Sequence, residues 1–305
     1  MMVLGSLFPV FVLILIGNLV KRYRLTNEDF LKTSDRLVYF IFFPTMLFWK
    51  IGGAPPASAL EARLCFAAIS ALASIYILSC LAIRIFKITN FQAGSFSQSC
   101  YRFNTYIGVA VVLNALGQPG VRLFGILIGF LIPLINVLAI STLIWFSGKR
   151  FTLKERIRIS IRAIISNPLI LACISGIIYA QFINIFPFFL ENTFQLMSYA
   201  TLPLALFSIG GVLTLESLKG HFKVAFVASI IRLLVYPLVG FWFLRWFEVT
   251  GIAFQVGMIF FTLPTSTAIY VLSSQLNSDT QLASASIVLS TLLSFGSLSA
   301  ILLLI

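Results

Sequence analysis

The chain has 305 residues, 60% of them hydrophobic and only 10% charged, with a mean hydropathy of +1.04 and a formal net charge of +12. Soluble domains carry about a quarter charged residues, so this composition excludes a soluble enzyme and a nucleic-acid-binding module. It predicts an all-α polytopic membrane protein.

In chain order, the first 24 residues are an apolar run followed by Lys21, Arg22 and Arg24. There is no basic stretch ahead of it and no small-residue cleavage pattern, so a retained first span is expected rather than a signal peptide. A span needs about 20 mostly apolar residues. Ten such runs fit, at 3–20, 36–52, 62–83, 91–117, 120–147, 163–182, 192–215, 222–247, 252–274 and 279–303.

Charge orients them. Fifteen of the 21 Lys and Arg fall in the loops after spans 1, 3, 5, 7 and 9. Lys50, Arg63, Arg122 and Arg245 lie on the opposite side, and Arg102 and Arg232 lie within spans. The positive-inside rule then puts the first set in the cytoplasm and both termini outside. Lys149, Arg150, Lys154, Arg156, Arg158 and Arg162 form the strongest anchor. Its plain reading is orientation and lipid headgroup contact.

Cys65, Cys80, Cys100 and Cys173 are scattered without CxxC spacing, and His221 is the single histidine. The cysteines read as small buried apolar residues. Neither a metal site nor a cofactor is expected.

Shifted by 159 residues, the chain matches itself. Pro9, Gly17, Phe30, Leu31, Leu37, Pro44, Leu47, Phe48 and Gly52 fall on Pro168, Gly176, Phe189, Leu190, Leu196, Pro203, Leu206, Phe207 and Gly211. Spans 1–2 and 6–7 therefore read as copies. A repeat of five spans is odd-numbered, so the second copy, residues 148–305, is inverted relative to the first, residues 1–147. Inverted repeats are a signature of secondary transporters with a midplane site made by discontinuous helices.

Spans 4 and 9 are the candidates for those helices. Span 9 carries Pro264 among Thr262, Thr265, Ser266 and Thr267. A mid-span proline removes a donor and clashes with the preceding turn. Span 4 has no proline, so a break there must come from Asn104, Thr105 and Gly108, and the shift puts Thr105 opposite Pro264. Arg102 lies beside that break. It could neutralise free carbonyls at a half-helix end or bind an anion. Arg232, in span 8, could bind substrate, snorkel or bond to a neighbouring helix. All nine acidic residues fall in loops or at span ends, so the two deep arginines face no deep carboxylate. A buried unpaired charge is expensive, and a small carboxylate is the expected guest.

With these residues in view, the chain resembles the auxin efflux carrier family, in the bacterial permease branch that includes malonate and malate transporters. The resemblance rests on Phe43-Pro44 with Leu47-Phe48, Asn167-Pro168-Leu169, residues 201–210 (TLPLALFSIG), Arg232-Leu233-Leu234 with Tyr236-Pro237-Leu238, and Leu263-Pro264. It implies a fold similar to the sodium/proton antiporter and bile acid symporter group. Spans 1, 2, 6 and 7 would form a scaffold and dimer surface. Spans 3–5 and 8–10 would form a moving core, with spans 4 and 9 crossing as broken helices in an elevator-like cycle. Family members usually carry a proline six residues after the span 4 asparagine; here that position is Ala110. Asn136 also looks like a family position lining the core, with helix-packing glue as the other reading.

The expected function is a secondary transporter of a small organic anion, a mono- or dicarboxylate such as malate or malonate, in a bacterial inner membrane. The alternatives are a sodium-coupled carrier of a larger amphipathic, bile acid-like anion and an anion channel. An intramembrane enzyme would need a nucleophile, paired acids or metal ligands within the spans. A receptor without flux would be told apart by the absence of transport. Coupling to Na⁺, H⁺, exchange or membrane potential stays open, with Thr262, Thr265, Ser266 and Thr267 as oxygen donors for Na⁺.

Overall fold

A computed structural model describes residues 2–54, 59–146, 152–213 and 215–305. Lys149 and Arg150 of the basic loop lie outside the described residues. Among the described residues every regular element is helical. In order these are α1 (Met2–Arg22), α2 (Glu28–Leu37), α3 (Phe43–Gly52), α4 (Ala59–Ile85), α5 (Asn90–Tyr101), α6 (Thr105–Phe146) and α7 (Leu153–Ile165). There follow α8 (Pro168–Phe182), α9 (Phe188–Val212), α10 (Phe222–Ile230), α11 (Tyr236–Trp246), α12 (Gly251–Thr262), α13 (Ala268–Gln275) and α14 (Thr280–Leu304).

Among the described residues five runs are long and apolar enough to cross a membrane: Gly5–Arg22, Leu60–Ile85, Asn90–Phe146, Phe222–Trp246 and Thr280–Leu304. The shorter helices α8 and α12 are apolar as well. The run Asn90–Phe146 holds expected spans 4 and 5. It is interrupted at 102–104 and bends at Gly117, where φ is 66° and ψ is −157°. Positive φ suits glycine, which has no Cβ to clash, and Pro119 follows closely.

The start of span 6 differs from the sequence reading. Span 6 was expected from residue 163, but residues 163–165 close the separate helix α7. Asn167 then caps α8, accepting from the N–H groups of Leu169 and Ile170 at 3.0 and 3.3 Å, with Pro168 in the first turn. An Asn cap followed by a first-turn proline is a strong start signal.

Two helices carry a π turn. Val38–Phe42 joins α2 to α3, and Ile231–Val235 joins α10 to α11. Each ends two residues before a proline, Pro44 or Pro237. The proline ring presses on the carbonyl four residues back, and the wider i→i+5 turn relieves that crowding.

The pairs α1–α9 and α3–α8 are in long contact, and their backbones approach closely at glycines. A methyl group at Gly17 would overlap the Phe207 carbonyl, and one at Gly176 would sit 3.2 Å from the Phe48 carbonyl. Small residues at membrane helix contacts let backbones meet this closely. The Asn18 side chain adds to the first pair by donating to the carbonyls of Gly210 and Leu213 at 3.2 and 2.8 Å, which caps the end of α9. A Cβ at Gly210 would overlap the Ile14 carbonyl, whereas Gly5 has open space. Gly210→Ala is therefore expected to cost about 1–3 kcal/mol through overpacking. Thermal unfolding in detergent should show a lowered Tm for Gly210→Ala and none for Gly5→Ala.

Candidate functional site where two interrupted helices meet

The helix α5 is rich in Ser and Gln, yet every residue from Ala93 to Tyr101 is buried. Its serine hydroxyls find partners inside the protein. Ser97 pairs with Ser79 on α4 at 2.9 Å, and Ser95 donates to the Asp279 carbonyl at 2.7 Å. This polar half-helix ends at Tyr101, and Arg102 takes extended backbone angles (φ −71°, ψ 137°). Asn104 then starts α6. Its side-chain oxygen accepts from the N–H groups of Tyr106 and Ile107 at 3.1 and 3.2 Å.

The second interruption lies at Leu263–Ser266, between α12 and α13. The two interruptions touch through their backbones. The Asn104 N–H donates to the Pro264 carbonyl at 2.8 Å. The Thr265 hydroxyl donates to the Ser99 carbonyl at 2.9 Å, and the Thr265 N–H reaches Ser290 on α14 at 3.0 Å. Two helix C-termini and two helix N-termini thus converge in one place. The former carry partial negative charge and the latter partial positive charge.

The break in α5–α6 needs no proline. Asn104 supplies a cap for the new helix, and Pro264 accepts the N–H that an unbroken helix would have bonded internally. Removing that cap should matter. Asn104→Ala is expected to lower stability by about 0.5–2 kcal/mol, seen as a lower Tm.

The two deep arginines do different things. Arg102 is 9% exposed. Its Nη1 donates to Gln98 Oε1 at 3.2 Å and its Nη2 to Asn136 Oδ1 at 3.0 Å. Both partners are neutral, and none of the salt bridges among the described residues involves Arg102 or Arg232. Close by, the Asn104 amide nitrogen is buried without a hydrogen-bond acceptor. Arg232 is 0% exposed and lies in the π turn after α10. Its Nε donates to the Leu263 carbonyl at 2.7 Å and its Nη2 to the Phe260 carbonyl at 3.1 Å. The guanidinium lies over the Tyr236 ring, 4.8 Å from the centroid. Arg232 therefore caps the C-terminal end of α12, the role the sequence reading had weighed for Arg102.

The remaining sequence candidates divide as follows. Thr265 and Pro264 are at the contact itself. Asn136 reaches it through Arg102. Gly108 lines it tightly, since an added Cβ would lie 2.7 Å from Leu263 Cδ1 and overlap the Phe124 ring. Thr105 and Ser266 are half-buried at the starts of α6 and α13, where Ser266 Oγ accepts from the Ala268 N–H at 3.2 Å. Thr262 is turned away, its hydroxyl donating back to the Met258 carbonyl at 2.8 Å.

A model of the membrane transport protein family matches residues 2–302. The chain belongs to this auxin efflux carrier-type membrane transport family. An uncharacterized transporter of Methanocaldococcus jannaschii is 25% identical over 289 residues, covering 92% of each chain.

In this membrane transport protein, then, the polar contact between α5–α6 and α12–α13 is the candidate site. Sequence reading missed Gln98 and Ser290. Gln98 was within reach, since it stands four residues before Arg102 and such pairs share a helix face. Ser290 carried no signal, because it belongs to a serine-rich helix far away in sequence.

Proposed function

We propose that this membrane transport protein is a secondary carrier of small organic anions and that the contact between the two interrupted helices is its binding site. One observation carries the reading: Arg102 is buried among neutral partners, beside an unpartnered Asn104 amide and two helix N-termini. A carboxylate would supply the missing charge and the missing acceptors at once. Arg102, Asn104 and the N-terminal turns of α6 and α13, with Thr105 and Ser266, would hold it. Asn136 and Gln98 would aim the guanidinium. Arg232, Pro264 and Thr265 would hold the half-helices in place, and Gly108 would let them approach. Malate, malonate and related mono- or dicarboxylates are the substrate class.

The same reading takes the fold as ten spans in two inverted five-helix repeats, with a scaffold of spans 1, 2, 6 and 7 and an elevator-like core. Its support is a pair of contacts that exchange under the 159-residue shift. Gly17 against the Phe207 carbonyl becomes Gly176 against the Phe48 carbonyl. A homodimer on the scaffold face, a bacterial inner membrane and both termini outside complete the proposal.

Counterflow in proteoliposomes tests it. Vesicles preloaded with unlabelled malate, malonate or an aromatic carboxylate should accumulate the labelled anion transiently and saturably, with and without Na⁺. A channel gives no counterflow, and flux confined to cations or amines would reject the anion reading.

A further inference from the structure

The amphipathic helix α7 plays no part in the site above. It starts with a complete capping box: Glu155 Oε2 accepts from the Thr152 N–H at 2.7 Å, and the Glu155 N–H donates to Thr152 Oγ1 at 3.3 Å. The Thr152 N–H and hydroxyl both donate to the carboxylate and hold the Glu155 pKa below its ordinary value. The helix is thus defined by its own sequence. It packs on α6 and α8, and Ile164 joins the core.

The outward surface is unusual for a helix in water. Lys154, Arg158 and Arg162 recur every four residues, and so do Ile157, Ile161 and Ile165. The isoleucines are 50%, 50% and 62% exposed. The first five of these residues line one shallow groove of about 530 Å³. Like charges four apart on a helix repel, and three open isoleucines lose the benefit of burial. Both costs are offset if the partner is anionic and has an apolar edge. The helix also connects two helices of a multi-pass membrane protein, so its outer face lies at the bilayer surface. A basic helix with interleaved aliphatic residues lies in that plane.

We propose that α7 is a binding site for the headgroups of anionic phospholipids, with Lys154, Arg158 and Arg162 on the phosphates and the isoleucines at the acyl boundary. The site does not depend on the identity of the transported substrate.

The test is a lipid titration of the purified full chain in neutral detergent, followed by the shift in Tm. Phosphatidylglycerol should raise Tm at lower concentration than phosphatidylcholine, and high salt should reduce the difference. In a Lys154→Gln, Arg158→Gln, Arg162→Gln variant the titration midpoint should rise by about a hundredfold, since each of the three basic residues near an anionic surface contributes about fivefold. A Lys21→Gln, Arg22→Gln, Arg24→Gln variant should shift the midpoint less than the α7 variant does, because Lys21 is already paired with Glu28 at 3.3 Å and none of the three lines the α7 groove. Ile157→Ser with Ile161→Ser should weaken phosphatidylglycerol while leaving all charges in place. The proposal is overturned if the α7 charge variant keeps the wild-type midpoint or if the two lipids act alike. It is also overturned if inorganic phosphate alone reproduces the shift, which would make this a free-anion site.

Discussion

Arg102→Ala should abolish transport of the organic anion and leave a folded protein in the membrane. The guanidinium is a charge at the helix contact, and its hydrogen bonds go to the neutral side chains of Gln98 and Asn136. Truncating one partner of a buried charge pair costs about 2–5 kcal/mol, so anion binding should weaken between about thirtyfold and a few thousandfold. Stability should change less. Relief of the desolvation penalty of a buried arginine without an acid opposes the loss of the hydrogen bonds to Gln98 and Asn136, so the substrate-free variant should stay folded and melt above Arg232→Ala. Arg102→Lys should recover part of the binding, because it restores a point charge and not the planar fork.

Arg232→Ala should do the opposite, unfolding the site before any effect on binding can be read. Its removal leaves the Leu263 carbonyl buried without a donor and the Phe260 carbonyl with only the Leu263 N–H at 3.4 Å. An orphaned buried carbonyl costs about 1–3 kcal/mol, and the space left by a fully buried arginine adds a cavity cost of similar order. A lowered Tm and poor yield are expected with or without substrate. Lysine at 232 should rescue only partly, since one ammonium cannot follow the geometry of both carbonyls. Equal Tm for Arg232→Ala and wild type would reject the capping role.

This contrast marks how far sequence reading reaches. Composition and charge gave the membrane class, because apolar runs and basic loops are local features. Pro264 announced the interruption after α12 through a chemical defect any helix would feel. Asn104 hinted at the other interruption, but its cause is tertiary: the bond to the Pro264 carbonyl comes from a residue 160 positions away. In sequence both arginines were open to a binding role, with a bond to a neighbouring helix weighed for Arg232. Only their partners separate them, two side-chain amides for Arg102 and two backbone carbonyls for Arg232. The π turns before Pro44 and Pro237 went unread because a membrane proline usually signals a plain kink. The helix α7 was legible as a basic loop, yet its capping box and exposed isoleucines needed a folded helix to become a surface.

The most direct test of the binding site is protection of a single cysteine placed beside it. Thr105 is half-buried at the start of α6, next to Asn104. Thr105→Cys would be made with Cys65, Cys80, Cys100 and Cys173 replaced by alanine. Its rate of modification by a small thiol reagent would be followed as the anion that drives counterflow is added. The account predicts that saturating anion slows the reaction and that Arg102→Ala removes the protection. An unchanged rate at an anion concentration that saturates transport would place the binding site elsewhere and contradict the account.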